Sequence, residues 1–490
     1  MKKILIKTTI FFLALYCILI SINANAQYID KKKYLDNKPI IFAQGFINFS
    51  LANQQQANGY DEKTLGDSTS KNRINASNFN LGNDSQIFIK SGIKNNFNQK
   101  FGAIAKIEFN FSNQNLKENP NIDQAFLFAE NDYGNFEFGN NQAVNQKMKY
   151  GPARFARGSG GINGKYLQYV NLPMLNNSNC ESFSNQPCAN IKLPRFITLA
   201  QSPIGHGGYA KSFYRRGVDN NFSRNQRDYN AYSRSNFRAF KDDSYDGIED
   251  STKISYYSPK INGLQFGLSY GLNSADNGVT ANVSSDVDYL RLKNIFAIGV
   301  NYVEDFDNLS LAISSTAEKA KVDNSNAIYS APRHDLFSYD FGVAMSYFGF
   351  KFGASYGNWG KSLQAKNGIY SCQYQLNFNL SSQDCTTNIK RFRNPYYYTL
   401  GLAYQFSSIS ASISSLNSNF QNNRYQAISF GLDYKYSKNL LPYFEYTKFA
   451  FKVNQPQANN LNDQASLDNN YSSIKNNLGH IFLIGILYSF

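Results

Sequence analysis

The last residues of the chain place the strongest constraint on its fold. From Gly485 to Phe490, apolar or aromatic side chains recur at every second position up to the terminus. This alternation is typical of a β-strand with two different faces. In a soluble protein such a strand would be an adhesive sheet edge, which natural sequences avoid. Inside lipid, only a closed barrel satisfies every strand hydrogen bond, so we expect this strand to pair with the first one.

The first 26 residues have the organisation of a signal peptide for export. Three lysines precede an apolar run over 10–20, and Ala24 and Ala26 supply the small residues that a signal peptidase reads. We therefore expect the mature protein to begin at Gln27. The alternative is an uncleaved membrane anchor, but the apolar run is short for a spanning helix.

The composition of the remaining chain favours a β-barrel over a soluble fold. No later run approaches the roughly 20 apolar residues that a helical span needs. Only 42% of the residues are hydrophobic, although the chain contains 35 Tyr and 40 Phe. Aromatic residues spread along alternating segments, with polar residues between them, fit a barrel that is apolar outside and wet inside.

Alternating segments recur along the whole mature chain. In 101–111 every odd position is apolar, whereas Lys106 and Glu108 lie at even positions, so we expect the odd face to contact lipid. We assign 27–39 to a periplasmic N-terminal segment and 40–490 to the barrel. Sixteen strands are predicted, at 40–51, 85–93, 100–111, 122–130, 135–140, 252–258, 264–272, 293–302, 309–316, 338–347, 350–357, 396–406, 409–415, 426–436, 441–449 and 478–490.

The lengths of the connections define the expected topology. Short and long connections alternate, as expected for tight periplasmic turns and extended external loops. Both termini then lie on the periplasmic side. A soluble propeller would show a repeat of about 40 residues, and none is visible. The sequence therefore predicts an all-β fold, a 16-stranded antiparallel transmembrane barrel, which is wide enough for an aqueous channel.

Several segments in order resemble the general porins of Gram-negative bacteria, most closely those of alphaproteobacteria. They are Ser85–Lys90, Gln124–Phe126, Tyr133–Gly139 and Lys253–Gly263. The resemblance implies a homotrimer of sixteen-stranded diffusion channels in the outer membrane. It also implies that the third external loop, here 141–251, folds partly into the pore as a constriction.

The resemblance extends to the chain terminus. Gly485, Tyr488 and Phe490 look like the signal that the barrel-assembly machinery reads. Leu483, however, stands where that signal usually has a polar residue. Enteric porins also usually carry pore-facing Arg or Lys on the early strands, where this chain has Gln44 and Gln86.

Positive charge is concentrated in the predicted constriction loop. Between residues 140 and 241, fifteen basic residues accompany three acidic ones, in a chain of formal net charge +14. A charge about 7 Å from a permeating ion contributes about 0.6 kcal/mol in water. If this stretch folds into the lumen, we expect a weakly anion-preferring pore. The alternative is a solvated outer rim that pairs with lipopolysaccharide phosphates. The candidate constriction residues are Lys147, Lys149, Arg154, Arg157 and Lys165.

Four further charged residues face the lumen by strand parity. They are Lys90, Lys106, Glu108 and Lys351. Each has two open interpretations: it lines the pore, or it merely solvates the inner wall, in part through local ion pairs.

The cysteines of the mature chain form two close pairs. Cys180 and Cys188 make one pair, and Cys372 and Cys385 make the other. Export to an oxidising compartment favours a disulfide within each pair, which would stabilise its loop by about 2–3 kcal/mol. Free thiols are the alternative. Because no His lies near either pair, we expect no metal site, and we expect no cofactor.

Other functions receive less support from the sequence. The three histidines, His206, His334 and His480, lie in predicted loops or at a strand start, so we expect no enzyme. Export argues against nucleic-acid binding, although part of the long loop is rich in Arg and aromatic residues. Two alternatives remain to passive diffusion of small hydrophilic solutes and ions: a surface adhesin or ligand-binding barrel, and a dedicated phosphate channel.

Overall fold

Sixteen β-strands form one closed antiparallel sheet in the protein. The computed structural model describes residues 39–57, 79–95, 99–109, 121–170, 196–203, 251–276, 292–322, 334–362, 394–420, 422–453 and 476–490. Each strand pairs with its neighbours in the chain, and the last strand pairs with the first. The strands are β1 (Ile40–Gln55), β2 (Phe79–Lys94), β3 (Lys100–Phe109), β4 (Asn121–Asn131), β5 (Gly134–Asn140), β6 (Ser251–Tyr257), β7 (Leu264–Asp276), β8 (Leu292–Phe306), β9 (Leu309–Val322), β10 (Leu336–Tyr347), β11 (Phe350–Asn358), β12 (Tyr396–Phe406), β13 (Ile409–Phe420), β14 (Asn423–Tyr434), β15 (Leu440–Lys452) and β16 (Asn477–Ser489).

The predicted fold class is confirmed, because each of the sixteen predicted strands corresponds to an observed one. The seam joins β1 to β16, with Phe46 opposite Ser489. The backbone N–H and C=O of Phe490 each bond to Gly45 at 3.0 Å. Pairing therefore continues to the terminal residue, and the sheet has no free edge there.

Side chains alternate between the two faces of the sheet as the sequence predicts. On β7, Phe266, Leu268 and Leu272 are exposed, whereas Gly267 and Ser269 are buried. The exposed face of the barrel is therefore apolar, and the inner face carries small and polar residues. This arrangement is typical of strands that cross a bilayer.

One connection differs from the predicted alternation of short and long loops. The strands predicted at 409–415 and 426–436 extend much closer together, so only two residues separate β13 from β14. The ladder is continuous up to the pair Phe420 and Asn423. The left-handed backbone of Asn422, with φ 69°, fits this tight turn, since Asn tolerates that conformation. The prediction of a longer connection here was wrong.

The chain between β5 and β6 enters the barrel. Residues 141–170, which we call the inserted segment, contain the short helix α1 (Val144–Lys147) and three 3₁₀ turns. They contact the inner wall in succession: α1 lies on β6 to β9, Pro152–Arg154 on β11 to β13, Gly161–Asn163 on β13 to β15, and Lys165–Tyr169 on β16 and β1. The inserted segment thus follows the wall around most of the barrel. Among the described residues, no helix is long and apolar enough to cross a membrane.

A second piece of the same connection lies between the inserted segment and the wall. Residues 196–203, which we call the return segment, pack with the inserted segment and with inward residues at the ends of the strands. Phe196, for example, meets Phe451 with ring centroids 5.0 Å apart. An apolar core therefore lies inside the barrel, as well as the apolar surface outside it.

Candidate pore constriction

The inserted segment is attached to β5 through Glu137. The buried Glu137 carboxylate accepts a hydrogen bond from the Asn141 amide and pairs with the Lys147 ammonium, each at 2.5 Å. The same ammonium lies over the rings of Phe126 at 4.9 Å and Tyr257 at 5.7 Å. Only 17% of the Lys147 side chain is exposed, so its charge is largely balanced within the protein.

A second ion pair joins the inserted segment to β10. The Lys149 ammonium lies 2.9 Å from Oδ2 of Asp340, and it also donates to the Ala200 carbonyl at 2.5 Å and to the Tyr397 hydroxyl. Tyr397 in turn donates to Asp340. This buried network ties the inserted segment, the return segment and two wall strands together.

Wall carboxylates also accept hydrogen bonds from the backbone of the inserted segment. Asp433 on β14 accepts from the N–H of Arg157 at 2.9 Å and of Gly158 at 3.1 Å. Glu445 on β15 accepts from the N–H of Gly161 at 3.4 Å. Successive N–H groups thus point at wall carboxylates, a favourable arrangement for negative charge.

Glu318 on β9 connects the two internal segments. Its Oε2 accepts a hydrogen bond from the Asn145 amide at 2.5 Å and from the Ser202 hydroxyl at 2.8 Å. Asn145 and Ser202 also bond to each other at 3.1 Å. Because Glu318 is buried, its charge is stabilised by these two donors, which come from the inserted and return segments.

Arg157 and Lys351 meet at one side chain. The Arg157 guanidinium donates to Oε1 of Gln405 at 3.0 Å, and the Lys351 ammonium donates to the same atom at 3.2 Å. Lys351 is only 3% exposed. These two predicted pore residues therefore lie at the contact between the inserted segment and the wall strands β11 and β12.

Glycines on the wall make room for the inserted segment. A Cβ at Gly342 on β10 would overlap the carbonyl oxygen of Tyr150, and one at Gly353 would lie 3.0 Å from the Pro152 backbone nitrogen. In the reverse direction, a Cβ at Gly158 would overlap the ring of Tyr443. Glycine permits this close backbone approach because it has no side chain.

The last part of the inserted segment packs in an apolar environment. Ile162, Tyr166 and Val170 are buried with Phe196 and Trp359, among other inward residues. The Tyr166 hydroxyl bonds to the Tyr425 hydroxyl and donates to the Ile162 carbonyl at 3.2 Å. Burial raises the pKa of Tyr166, and the Tyr425 contact adds to the effect. Burial also raises the pKa of Tyr150.

The remaining predicted pore residues have different surroundings. Lys90 extends over the Phe128 ring at 4.5 Å, and Lys106, which is buried, lies 6.0 Å from the Phe88 ring. Both face inward, as strand parity predicts. The backbones of Arg154 and Lys165 lie in 3₁₀ turns, and the backbone of Glu108 lies in β3.

The predicted assembly residues lie on the last strand. Gly485 is opposite Ser50 on β1, and its α-carbon is so close to Tyr443 that a Cβ would overlap the hydroxyl. Tyr488 and Phe490 face outward, with their rings stacked 6.3 Å apart. Leu483 faces inward and is buried, so its apolar side chain joins the internal core.

Several predictions fall on residues outside the described ranges. These include the signal peptide, His206 and the four cysteines, Cys180, Cys188, Cys372 and Cys385. Both disulfides therefore stay predictions. Within the described ranges, no group of three or more His, Cys, Asp or Glu side chains could hold a metal ion.

The sequence interpretation missed the wall carboxylates that contact the internal segments. Asp340, Asp433 and Glu445 lie in predicted strands, and strand parity places their side chains on the inner face of the barrel. This parity was a usable signal for them. Within the described ranges, carboxylates that contact the internal segments include Glu137, Glu318, Asp340, Asp433 and Glu445.

A closed barrel with an apolar outer face and a segment of its own chain along the inner wall defines the class of transmembrane β-barrels. A family model described as Gram-negative porin matches residues 42–454. The chain belongs to the Gram-negative porin family, and it is an outer-membrane protein with the fold of a channel rather than of an enzyme.

Similar sequences occur in Rickettsia. An uncharacterized protein of Rickettsia bellii (strain RML369-C) is 26% identical over an alignment of 386 residues, and the match covers 70% of this chain and 74% of that protein. An uncharacterized protein of Rickettsia conorii (strain ATCC VR-613 / Malish 7) is 23% identical over an alignment of 382 residues, and the match covers 69% of this chain and 71% of that protein.

Solved porin structures align with most of the chain. The anion-selective porin from Comamonas acidovorans has 12% identity and a TM-score of 0.49, and the alignment covers 92% of this chain and 100% of that one. A mutant Rhodopseudomonas blastica porin has 11% identity and a TM-score of 0.45 over the same shares.

Proposed function

We propose that the protein forms a water-filled channel for passive diffusion of small hydrophilic solutes and ions across the outer membrane. The path of the inserted segment carries this proposal. Its contacts run along the wall from β6 to β1, which supports a segment that narrows the bore rather than one that blocks it. A sixteen-stranded barrel is wide enough to keep an aqueous path beside such a segment.

The proposal includes the finer features that the sequence predicts. The precursor carries a signal peptide over 1–26, and the barrel-assembly machinery inserts the mature chain as a homotrimer that contacts lipopolysaccharide. The constriction lies within 141–251, and no nucleic acid is a partner. Lys90, Lys106 and Lys351 support a constriction role through their inward positions.

We also propose a weak anion preference, smaller than the charge of the loop alone predicts. Lys147 and Lys149 each pair with a wall carboxylate, so neither acts as an isolated positive charge toward a permeating ion. The preference then depends on the other basic residues of the loop, including Arg157. A dedicated phosphate channel would need several basic groups that face the solute, and the pairing of these two lysines disfavours it.

Reconstitution tests the proposal. Purified trimer in planar bilayers should give discrete conductance steps, and the reversal potential in a KCl gradient should show a small anion preference. Liposomes that contain the protein should swell in small sugars and not in large ones. Electrically silent bilayers would reject the channel, and clear cation selectivity would reject the anion preference alone.

A second candidate function is surface binding by a barrel with a filled lumen. The apolar core inside the barrel favours it, because Trp359, Tyr397 and Phe451 are fully buried against the internal segments. Such a protein would act as an adhesin or ligand-binding protein through its external loops. Liposomes would then show no swelling in any sugar, although the barrel is fully folded.

A further inference from the structure

Three phenylalanines on the inner faces of β2 and β4 each lie beside a lysine ammonium. Lys90 lies 4.5 Å from the ring centre of Phe128, Lys147 lies 4.9 Å from that of Phe126, and Lys106 lies 6.0 Å from that of Phe88. The face of an aromatic ring attracts a cation, because the π-electrons concentrate negative charge there. The ring has no net charge, so a lysine in this contact keeps its full positive charge.

Lys90 differs from the other two lysines in its surroundings. Lys147 is paired with Glu137, and the Lys106 side chain is buried. Lys90 is partly exposed, and among the residues that the structure describes no ion pair includes it. Its charge is therefore not cancelled by a carboxylate within this part of the chain.

Two carboxylates lie close enough to Lys90 to interact with its charge, and each already has another partner. Glu130 pairs with Lys100 at 2.5 Å, and Glu137 pairs with Lys147 at 2.5 Å. An aromatic ring, rather than a carboxylate, is therefore the contact that Lys90 makes.

A glycine on β3 lets the ring reach Lys90. Phe128 on β4 lies directly opposite Gly102, and a Cβ at that glycine would lie 2.6 Å from two atoms of the ring. Glycine permits this approach because it has no side chain. The ring therefore extends across β3 toward β2, where the Lys90 ammonium lies over it.

Apolar side chains flank Lys90 on both neighbouring strands. Lys90 lies directly opposite Phe42 on β1 and Ile104 on β3, and both positions face the lumen by strand parity. Side chains in such pairs have Cβ atoms about 5 Å apart. A charge with apolar neighbours is screened less than a charge in bulk water. These four residues, Lys90, Phe128, Phe42 and Ile104, thus present one cation between apolar surfaces, and we call them the Lys90 site.

The Lys90 site lies on the wall beside the start of the inserted segment. Phe128 is directly opposite Glu137, the carboxylate that pairs with Lys147 of that segment. The helix and the 3₁₀ turns of the segment pack on β6 to β9, on β11 to β16 and on β1. β2 and β3 lie outside those sectors, so these elements give them little cover.

We propose that the Lys90 site binds small organic anions in which one carboxylate adjoins an apolar or aromatic group. The Lys90 ammonium donates to the carboxylate, and Phe42 and Ile104 contact the apolar part. Phe128 is a positioning residue, because its ring holds the ammonium away from the neighbouring carboxylates. The inference rests on the proposed channel function, since the solute reaches the site through the bore.

The test measures the binding of para-fluorobenzoate to the full mature protein in detergent, by fluorine NMR. The alcohol para-fluorobenzyl alcohol has the same ring without the charge, and acetate has the carboxylate without the ring. Lys90→Gln removes the charge and Phe128→Leu removes the ring, whereas Lys90→Arg and Phe128→Tyr retain them. Phe138→Leu on β5 is the matched control, because Phe138 faces outward and is 54% exposed.

Lys90→Gln and Phe128→Leu should each weaken the binding of para-fluorobenzoate about tenfold. Lys90→Arg, Phe128→Tyr and Phe138→Leu should stay within twofold of the wild type. Unchanged affinity in Lys90→Gln, equal binding of the alcohol, or no binding by the wild type would overturn the proposal. Acetate that competes at the concentration of para-fluorobenzoate would also overturn it, since the apolar neighbours would then contribute nothing.

Ion selectivity gives a second readout for the positioning role of Phe128. Phe128→Leu leaves the formal charge unchanged, yet its reversal potential in a KCl gradient should shift toward that of Lys90→Gln, because the released ammonium moves to a carboxylate. A shift no larger than that of Phe138→Leu would show that the ring does not position the ammonium. Phe128→Met serves if Phe128→Leu does not form a heat-modifiable barrel on gels.

Failure of the site and failure of the channel are distinguishable, because binding in detergent does not require conduction. Silent bilayers together with binding that Lys90→Gln abolishes would reject the channel and support the site. Conduction by a protein that does not bind para-fluorobenzoate would reject the site alone.

Discussion

The ammonium of Lys149 lies 2.9 Å from Oδ2 of Asp340, so a cation of the inserted segment is paired with a carboxylate of the barrel wall. Lys147 and Glu137 repeat the relationship at 2.5 Å on the other side of α1. Both lysines are more than four-fifths buried. Charge complementarity between the wall and the inserted segment therefore helps to hold that segment in place.

Asp340→Asn should lower the free energy of unfolding by about 3–5 kcal/mol, because it leaves the Lys149 ammonium buried without its partner. Urea unfolding in detergent micelles measures the loss. The double variant Lys149→Met/Asp340→Leu should lose less, since no unpaired charge remains. If the double variant is as unstable as the single one, the ion pair is not the source of the effect.

The combined substitution Glu137→Gln/Asp340→Asn should increase anion preference. It leaves two ammonium groups without counter-charges near the permeation path, and each contributes about 0.6 kcal/mol at about 7 Å in water. The ratio of anion to cation permeability should therefore rise several-fold, as read from reversal potentials. Asp307→Asn, which removes an exposed carboxylate from the turn between β8 and β9, is the control and should cause no shift.

The inserted segment should detach at alkaline pH. Burial raises the pKa of Tyr150 and Tyr166 above the value of about 10 for an unfolded tyrosine. Their contribution to stability is complete below about pH 10 and is lost as the pH rises toward their folded pKa values, because only the detached phenols ionise readily. Conductance recorded between pH 9 and 12 should become noisy and larger.

Replacement of the Tyr166 phenol provides the control for this pH dependence. Tyr166→Phe cannot ionise, so the change in conductance should begin at a higher pH than in the wild type. An unchanged onset would show that another group controls the transition.

Gly342→Ala should displace the inserted segment, since the new Cβ would overlap the carbonyl oxygen of Tyr150. Limited proteolysis should then cut within 141–170 faster than in the wild type, while the barrel remains heat-modifiable. Val343→Ala on the same strand faces lipid and adds no atom inside, so its proteolysis should be unchanged. Equal protection of both variants would mean that the wall can adjust at this position.

The sheet could be predicted because its signal is local. Each strand has one lipid-facing side, so a period of two is visible within ten residues, as in 101–111. The end of β13 and the start of β14 were harder to place. Residues 416–425 are rich in Asn and show no clear alternation, although β13 extends to Phe420 and β14 begins at Asn423.

The charge pairing at the constriction could not be predicted in the same way. It depends on which wall residue the loop contacts. Lys149, for example, pairs with Asp340, which lies 191 positions later in the chain. Strand parity shows that Asp340 faces inward, but it does not show what lies against it. The burial of Trp359 and Tyr397 inside the barrel could not be predicted either, because the internal segments that cover them have no periodic pattern.

The far end of the inserted segment has a consequence for the order of assembly. Lys165–Tyr169 contacts both β1 and β16, the first and the last strands to leave the ribosome. That docking surface exists only after the two ends of the polypeptide have met. The inserted segment is therefore seated last, and in a barrel caught before closure Lys165–Tyr169 would lack this docking surface and be open to proteases.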